Sequence, residues 1–370
     1  MRLTPLFCLI LPAALAGQDV PTTRLAQPEA RFPESLSLIA GFRAIDATHA
    51  IAADALEGRV TLLDWQAGTL TDIGRQGGGP GEFGAPGRLF AHGDTTFMLD
   101  MGNRRLVAIV GTRMSSSTVS LSGPDGLPMI PQGVDARGRV YYDLAGIASP
   151  ATAELVAQGR APLLRWDPAT NRTDTLGIVG FPPMPQVGQG EVRVQIGGGA
   201  YQPRDVWAVT PDGKVGIART APYHVEWLGG SQAVVGPEVP YRPIPVGTAE
   251  KNAWADRMAN RGMMVSVENG RRSTRRAPRP NIDRMQWPDN MPPTAGTALT
   301  APDGGLWVER SSAARDRAST YDVFDSRGRR VRQVVFPDGQ RLLAVGRGFV
   351  MASRTDDDGL EWVERFRLAP

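Results

Sequence analysis

A short apolar run, a turn built on Asp and Gly, and a second run of small or branched residues recur along the chain. The copies are Phe42 to Asp54, Leu89 to Asp100, Gly133 to Asp143, Val206 to Ala218, Ala298 to Val308 and Leu342 to Ala352. Within each run apolar residues alternate with polar or small ones, which is the period of a half-buried strand and not of a helix. The turn glycines Gly93 and Gly138 are 45 residues apart, and Gly304 and Gly348 are 44 apart, which sets the length of one unit.

Repeats of this length carrying four strands each predict an all-β fold, the β-propeller. Six copies predict six four-stranded blades. The wider interval from Gly138 to Gly213 is one unit enlarged by Ala151 to Gln158 and by a loop from Gly180 to Pro185 and Gly197 to Gly199, read as extra surface segments. Gly213 and Gly304 are 91 residues apart, about two units, so seven blades is the alternative. Against it, Thr248 to Met264 reads as a helix with Thr248 as N-cap and Trp254 and Met258 on one face. Gly270 to Pro293 is rich in Arg and Pro, which suits no strand run. The six-bladed reading therefore makes 247–297 a partly helical insertion between the fourth and fifth blades. The chain ends on an alternating strand, Leu360 to Leu368. An open last edge would leave its backbone groups unpaired, so Thr23 to Gln27 is expected to close the ring as the outer strand of the last blade.

The second copy is preceded by Gly74-Arg-Gln-Gly-Gly-Gly-Pro-Gly-Glu-Phe83 and followed by Asp100-Met-Gly-Asn103-Arg104-Arg. Read together, these residues resemble the NHL-repeat propellers, and in particular the bacterial six-bladed, TolB-like propeller proteins. Pro288 to Pro293 leading into Asp303 to Val308 resembles the same group. The resemblance implies that Gly79 and Gly81 let the link between blades turn sharply, that Phe83 is buried between neighbouring blades, and that Asp100, Asn103 and Arg104 hydrogen-bond to a blade turn. It implies little about activity, because propellers host many unrelated functions.

Composition fits this picture. The 43 Gly and 31 Pro among 370 residues suit many short strands and turns. Residues 1–16 carry Arg2, an apolar run broken by Pro5 and Pro12, and Ala14-Leu-Ala16, the pattern of a secretory signal peptide cleaved before Gly17. A membrane anchor would need a longer run. The expected mature chain, 17–370, is one propeller domain, periplasmic or extracellular. The single cysteine, Cys8, lies in the leader, so disulfides and thiolate metal sites are not expected in the mature protein. Without Arg2 there are 40 basic against 38 acidic residues, too even a balance to point to nucleic acid. Of the 41 basic residues only Lys214 and Lys251 are lysines.

Candidate chemistry is sparse. The Gly77 to Gly81 cluster lacks the Gly-Lys-Ser/Thr of a phosphate loop and precedes a strand. His49, His92 and His224 have no metal-motif spacing, and Asp356 to Gly359 with Glu361 suits a hairpin turn better than a calcium loop. No Gly-x-Ser-x-Gly elbow or His-Glu-x-x-His occurs. No catalytic residue, metal or cofactor is therefore assigned. The most unusual stretch is Arg271, Arg272, Arg275, Arg276 and Arg279 beside Trp254, the expected binding residues for an anionic surface or partner. A solvated loop is the plainer reading of that stretch. The functional expectation is a monomeric, non-catalytic binding propeller for an unidentified protein, carbohydrate or small molecule. The alternative is a lactone hydrolase or lyase with its site at the central channel.

Overall fold

A computed structural model describes residues 20–121, 129–184, 193–194, 200–268 and 271–369. Six antiparallel sheets, ordered from the inside out, make the architecture. Blade 1 comprises Ile39–Ala44, His49–Asp54, Arg59–Asp64 and Thr69–Asp72. Blade 2 comprises Pro86–His92, Thr95–Asp100, Arg105–Val110 and Arg113–Ser120. Blade 3 comprises Gly133–Val134, Val140–Asp143, Arg160–Asp167 and Arg172–Gly180. Blade 4 comprises Val206–Val209, Val215–Thr220, Tyr223–Leu228 and Val234–Val235. Blade 5 comprises Thr294–Thr300, Leu306–Arg310, Ala318–Phe324 and Arg330–Asp338. Blade 6 comprises Gln340–Val345, Phe349–Thr355 and Glu361–Arg367. The inner strands pack side by side in chain order, with that of blade 6 against that of blade 1, so the sheets form a closed ring.

Closure uses the N-terminus, with a correction to the segment expected. Ala30–Arg31 pairs antiparallel with Glu361–Arg367 and supplies the fourth strand of blade 6. Thr22–Arg24, which overlaps the start of the stretch Thr23 to Gln27 expected to do this, instead runs parallel to Arg330–Asp338 as a fifth strand on blade 5. The sequence pattern placed a strand near the N-terminus but carried no information about which sheet edge each half meets. Phe32, which follows the closing strand, is fully buried and stacks edge-on against Trp65 of blade 1 at 5.4 Å, which ties the closed seam to its neighbour.

Between blades 4 and 5 the described chain forms no seventh four-stranded sheet. It holds a two-stranded pairing of Ile244–Pro245 with Asn290–Met291, a helix Thr248–Arg261 and a hairpin of Met263–Glu268 with Arg271–Arg276. Gly247, one residue earlier than expected, is the N-cap, and the Glu250 carboxylate accepts from its N–H at 3.1 Å.

The inner strands of blades 1 and 2 approach each other closely at a glycine. A Cβ on Gly41 would lie 2.2 Å from the Gly87 carbonyl oxygen of the next blade. Apolar side chains fill the wedges between sheets. Phe83 sits in one of these with Ile51, Val60 and Ile73 of blade 1 and Met98, Val107 and Ile109 of blade 2. Buried polar pairs cross the seams too. Tyr141 donates to Asp135 Oδ2 at 2.8 Å and to the Gly213 carbonyl of blade 4 at 3.2 Å, and Tyr223 of blade 4 donates to Asp322 of blade 5 at 2.9 Å. Burial and the neighbouring Asp135 carboxylate push the Tyr141 hydroxyl up to about 12.

Candidate binding site in the axial channel

The inner strands enclose a cavity of about 900 Å³ on the ring axis. Much of its wall is apolar, with Phe42, Leu89, Ile147, Phe181, Leu299 and Leu343 contributing. In a four-stranded meander the inner strand starts at the end of the ring that also carries the blade links and the turns joining second to third strands. Arg88, Arg341 and the Arg204-Asp205 pair stand at inner-strand starts, and Asp143 ends the second strand of blade 3. Topology therefore gathers these five charged groups at one mouth of the channel.

Three of them are occupied. Asp143 accepts from Gln132 Nε2 and Trp207 Nε1, each at 2.7 Å, and from the Ala145 N–H at 2.9 Å. Asp205 accepts from the Gly180 N–H and from Arg219, each at 2.7 Å. Arg341 donates to Glu361 Oε1 at 3.0 Å and to the Ile39 carbonyl at 3.2 Å, while Glu361 also receives the Ile39 N–H at 2.7 Å. Arg88 and Arg204 make no hydrogen bond or ion pair with any described residue. The Arg88 side chain is open to the cavity yet ringed by protein. That burial lowers its pKa; the Asp143 charge opposes the shift and the Arg204 charge adds to it.

The insertion lies at the same end of the ring. Tyr201, in the link between blades 3 and 4, donates to the Glu250 carbonyl at 2.9 Å and accepts from Arg257 at 2.8 Å. Glu250 also receives the Ala314 N–H of blade 5 at 3.2 Å. Arg276 donates to the Ser37 carbonyl at 2.8 Å, in the link between blades 6 and 1, and to the Gly359 carbonyl of blade 6. In a ring of six, the links between blades 3 and 4 and between 6 and 1 are opposite one another, so the insertion reaches across this end face. Its own core is aromatic, with Trp254 edge-on to Trp287 at 5.5 Å and Tyr201 to Trp287 at 5.9 Å.

The arginines singled out from the sequence divide. Arg276 is tied into the scaffold as above, and Arg279 donates to Asp256 at 2.6 Å and to Asn252 at 2.7 Å. Arg275 is exposed, with Met264 Sδ beside it at 3.3 Å. The side chains of Arg271 and Arg272 lie outside the described residues, as do residues 1–16 and Gly197 to Gly199.

Around the glycine-rich link, Asp100 Oδ1 accepts from the N–H groups of Gly84 at 2.9 Å, Ala85 at 3.0 Å and Asn103 at 3.2 Å. Asn103 Nδ2 spans Asp100 and the Gly77 carbonyl, and Glu82 receives the Gly79 N–H at 2.8 Å. Gly81 takes φ +75° and Arg104 φ +52°, in the left-handed region. Arg104 is exposed and serves the turn through its backbone. The guanidinium that reaches Asp100 and the Glu82 carbonyl belongs to Arg105.

Asp54 binds the link N–H groups of Ser37 and Leu38 in blade 1 as Asp100 binds those of blade 2. Asp143 holds the equivalent strand-end position but binds the side chains of Gln132 and Trp207 at the channel. The sequence signal was present, since three of the six repeats end in Asp, but nothing marked the third as different. The loop from Gly180 to Pro185, expected at the surface, contributes Phe181 and Met184 as buried residues at the channel mouth. Among the described residues no three His, Cys, Asp or Glu side chains converge on a cation position. Asp356 accepts from the N–H groups of Asp358 and Leu360 and so shapes a hairpin turn.

No known family profile matches the chain, and no curated protein matches it. It is similar to the solved structure of a member of the duf4221 family from Bacteroides vulgatus, with 9% identity over 93% of this chain and 95% of that one and a TM-score of 0.50. It is also similar to virginiamycin B lyase from Staphylococcus aureus, with 9% identity, 92% and 98% coverage and a TM-score of 0.41. An auxiliary nutrient binding protein from Bacteroides thetaiotaomicron matches with 10% identity, 90% and 70% coverage and a TM-score of 0.41. At these identities the first similarity establishes the shared fold and no more.

Proposed function

We propose that this chain is an exported, non-catalytic binding propeller of the NHL-repeat, TolB-like type, and that it holds a small molecule in the axial channel. The observation that carries this reading is the channel itself, a cavity of about 900 Å³ whose wall mixes apolar side chains with polar groups, the charged ones gathered at one mouth. Concave, largely apolar cavities of roughly 300–1,000 Å³ with a small number of placed polar groups are the usual form of small-molecule sites. Holding is favoured over proton transfer because Asp143 and Asp205, the carboxylates on the wall, are each committed to fixed donors. Export rests on the Ala14-Leu-Ala16 leader pattern.

The test is capture. Purified protein is incubated with a small-molecule extract of a bacterial culture, washed, and examined by native mass spectrometry beside an Ala91→Trp variant. Ala91 lines the channel and is open to it. Wild type retaining a mass that the equally stable filled variant does not retain supports the reading. Equal retention by both, or retention by neither, overturns it.

A further inference from the structure

Arg88 and Arg204 are the feature of the channel that the packing of the ring does not explain. Guanidinium groups in a fold ordinarily meet a carboxylate or several carbonyls, whereas Arg88 is open to solvent inside the channel and Arg204 is half-buried at its mouth. Every other charged group at this mouth follows that rule: Arg341 has Glu361, Asp205 has Arg219, and Asp143 has Gln132 and Trp207. Arg88 and Arg204 meet neither among the described residues, although both line the channel at the same mouth. Two guanidinium forks sharing one mouth, with no acceptor among the described residues, form a receptor for an acceptor brought from outside.

We propose that the axial channel binds a small organic monoanion, its carboxylate held by Arg88 and Arg204 and its apolar body lying along Phe42, Leu89, Leu299 and Leu343. This deepens the binding reading above and rests on it. The charge balance selects the monoanion. Two guanidinium groups with no partner among the described residues share the mouth with one carboxylate that has no cationic partner, Asp143, so these three groups carry a net charge of about +1 that one negative charge neutralises. A dianion such as a phosphate monoester would leave a negative charge beside Asp143. The walls select the body, since Phe42, Leu89, Leu299 and Leu343 offer it apolar contacts.

The probes are 4-phenylbutyrate, its neutral analogue 4-phenylbutanol, and phenyl phosphate, each titrated at pH 7.5 into the whole mature protein and followed by saturation-transfer NMR. The carboxylate is expected to bind about tenfold or more tightly than the alcohol, the size of a charge-assisted hydrogen bond, and no more weakly than the phosphate. Arg88→Gln and Arg204→Gln are each expected to remove that preference. Because neither arginine has a partner to lose among the described residues, melting should be unchanged or raised, which separates lost binding from lost folding.

Equal binding of carboxylate and alcohol in wild type and both variants overturns the anion inference and leaves the channel reading standing. A clear preference for the phosphate overturns the monoanion. No binding of any probe, with capture from the extract intact, also overturns the inference. Loss of capture defeats the channel reading separately.

Discussion

Replacing Phe83 with alanine tests whether the glycine-rich link is a structural clasp between blades. The ring is 1% exposed and packs against three residues of blade 1 and three of blade 2. Removing it deletes a large apolar group and leaves a cavity whose two walls belong to different sheets. Each sheet is held in position by the closed ring, so the walls have little freedom to collapse into the space. Truncations of this kind cost about 3–5 kcal/mol. An unfolding entropy of about 2.1 cal/mol/K per residue gives a whole chain of this length about 0.8 kcal/mol/K, so the melting midpoint should fall by about 4–6 °C. Denaturant unfolding followed by far-ultraviolet circular dichroism measures the free energy directly, with Glu82→Gln as a control expected to cost much less. A loss below about 1 kcal/mol for Phe83→Ala would refute the reasoning, because it would mean that blades 1 and 2 do not enclose the ring.

The two N-terminal strands should differ in consequence. A chain starting at Pro28 loses the fifth strand of blade 5 and the buried Leu25 and should remain folded with a lowered midpoint, whereas one starting at Pro33 also loses Ala30–Arg31 and Phe32 and should aggregate, as sedimentation will show. Stability should fall at high pH through Tyr141. Its folded pKa, about 12, lies above the ordinary value of 10, so the neutral form is favoured in the fold. That contribution is complete below pH 10 and is lost between about pH 10 and 12, up to about 2–3 kcal/mol. Tyr141→Phe should flatten this part of the pH profile, and an unchanged profile would show that Tyr141 is not the group responsible. Arg276→Ala should leave melting within about 1 °C but speed amide exchange across 262–280, since the guanidinium ties the hairpin to blades 1 and 6. Unchanged exchange would show that other contacts hold the insertion.

The blades were legible because each repeats a local pattern: alternation within strands, and glycine where the first hairpin turns. Gly93, Gly138, Gly213, Gly304 and Gly348 all take positive φ between 56° and 86°, a conformation that local sequence can announce. The clasp of Glu82, Phe83, Asp100 and Asn103 was legible for the same reason, since all its members lie within about one repeat. What remained hidden depends on closure. Arg88, Asp143, Arg204 and Trp207 come from three blades, and only the ring brings them to one mouth. The exchange between Thr22–Arg24 and Ala30–Arg31 is of the same kind, because both segments are short, extended and equally able to pair. The arginine run was conspicuous in sequence because its charges are adjacent, yet Arg276 and Arg279 spend theirs on carbonyls and side chains of the scaffold. Arg88 and Arg204, which have no partner among the described residues, are isolated from such a run in sequence.

The central claim, that ligand enters the axial channel and does not settle on the insertion, is tested most directly by the tryptophan indole resonances. Trp207 donates its Nε1–H to Asp143 in the channel wall, while Trp254 and Trp287 pack together in the insertion. Each is assigned by a Trp→Phe variant in protein carrying ¹⁵N-labelled tryptophan, and the spectrum is recorded as the captured ligand is added. A shift of the Trp207 indole that saturates with ligand, with Trp254 and Trp287 unmoved, is the result expected. Movement of Trp254 and Trp287 with Trp207 unchanged would place binding on the insertion and contradict the account.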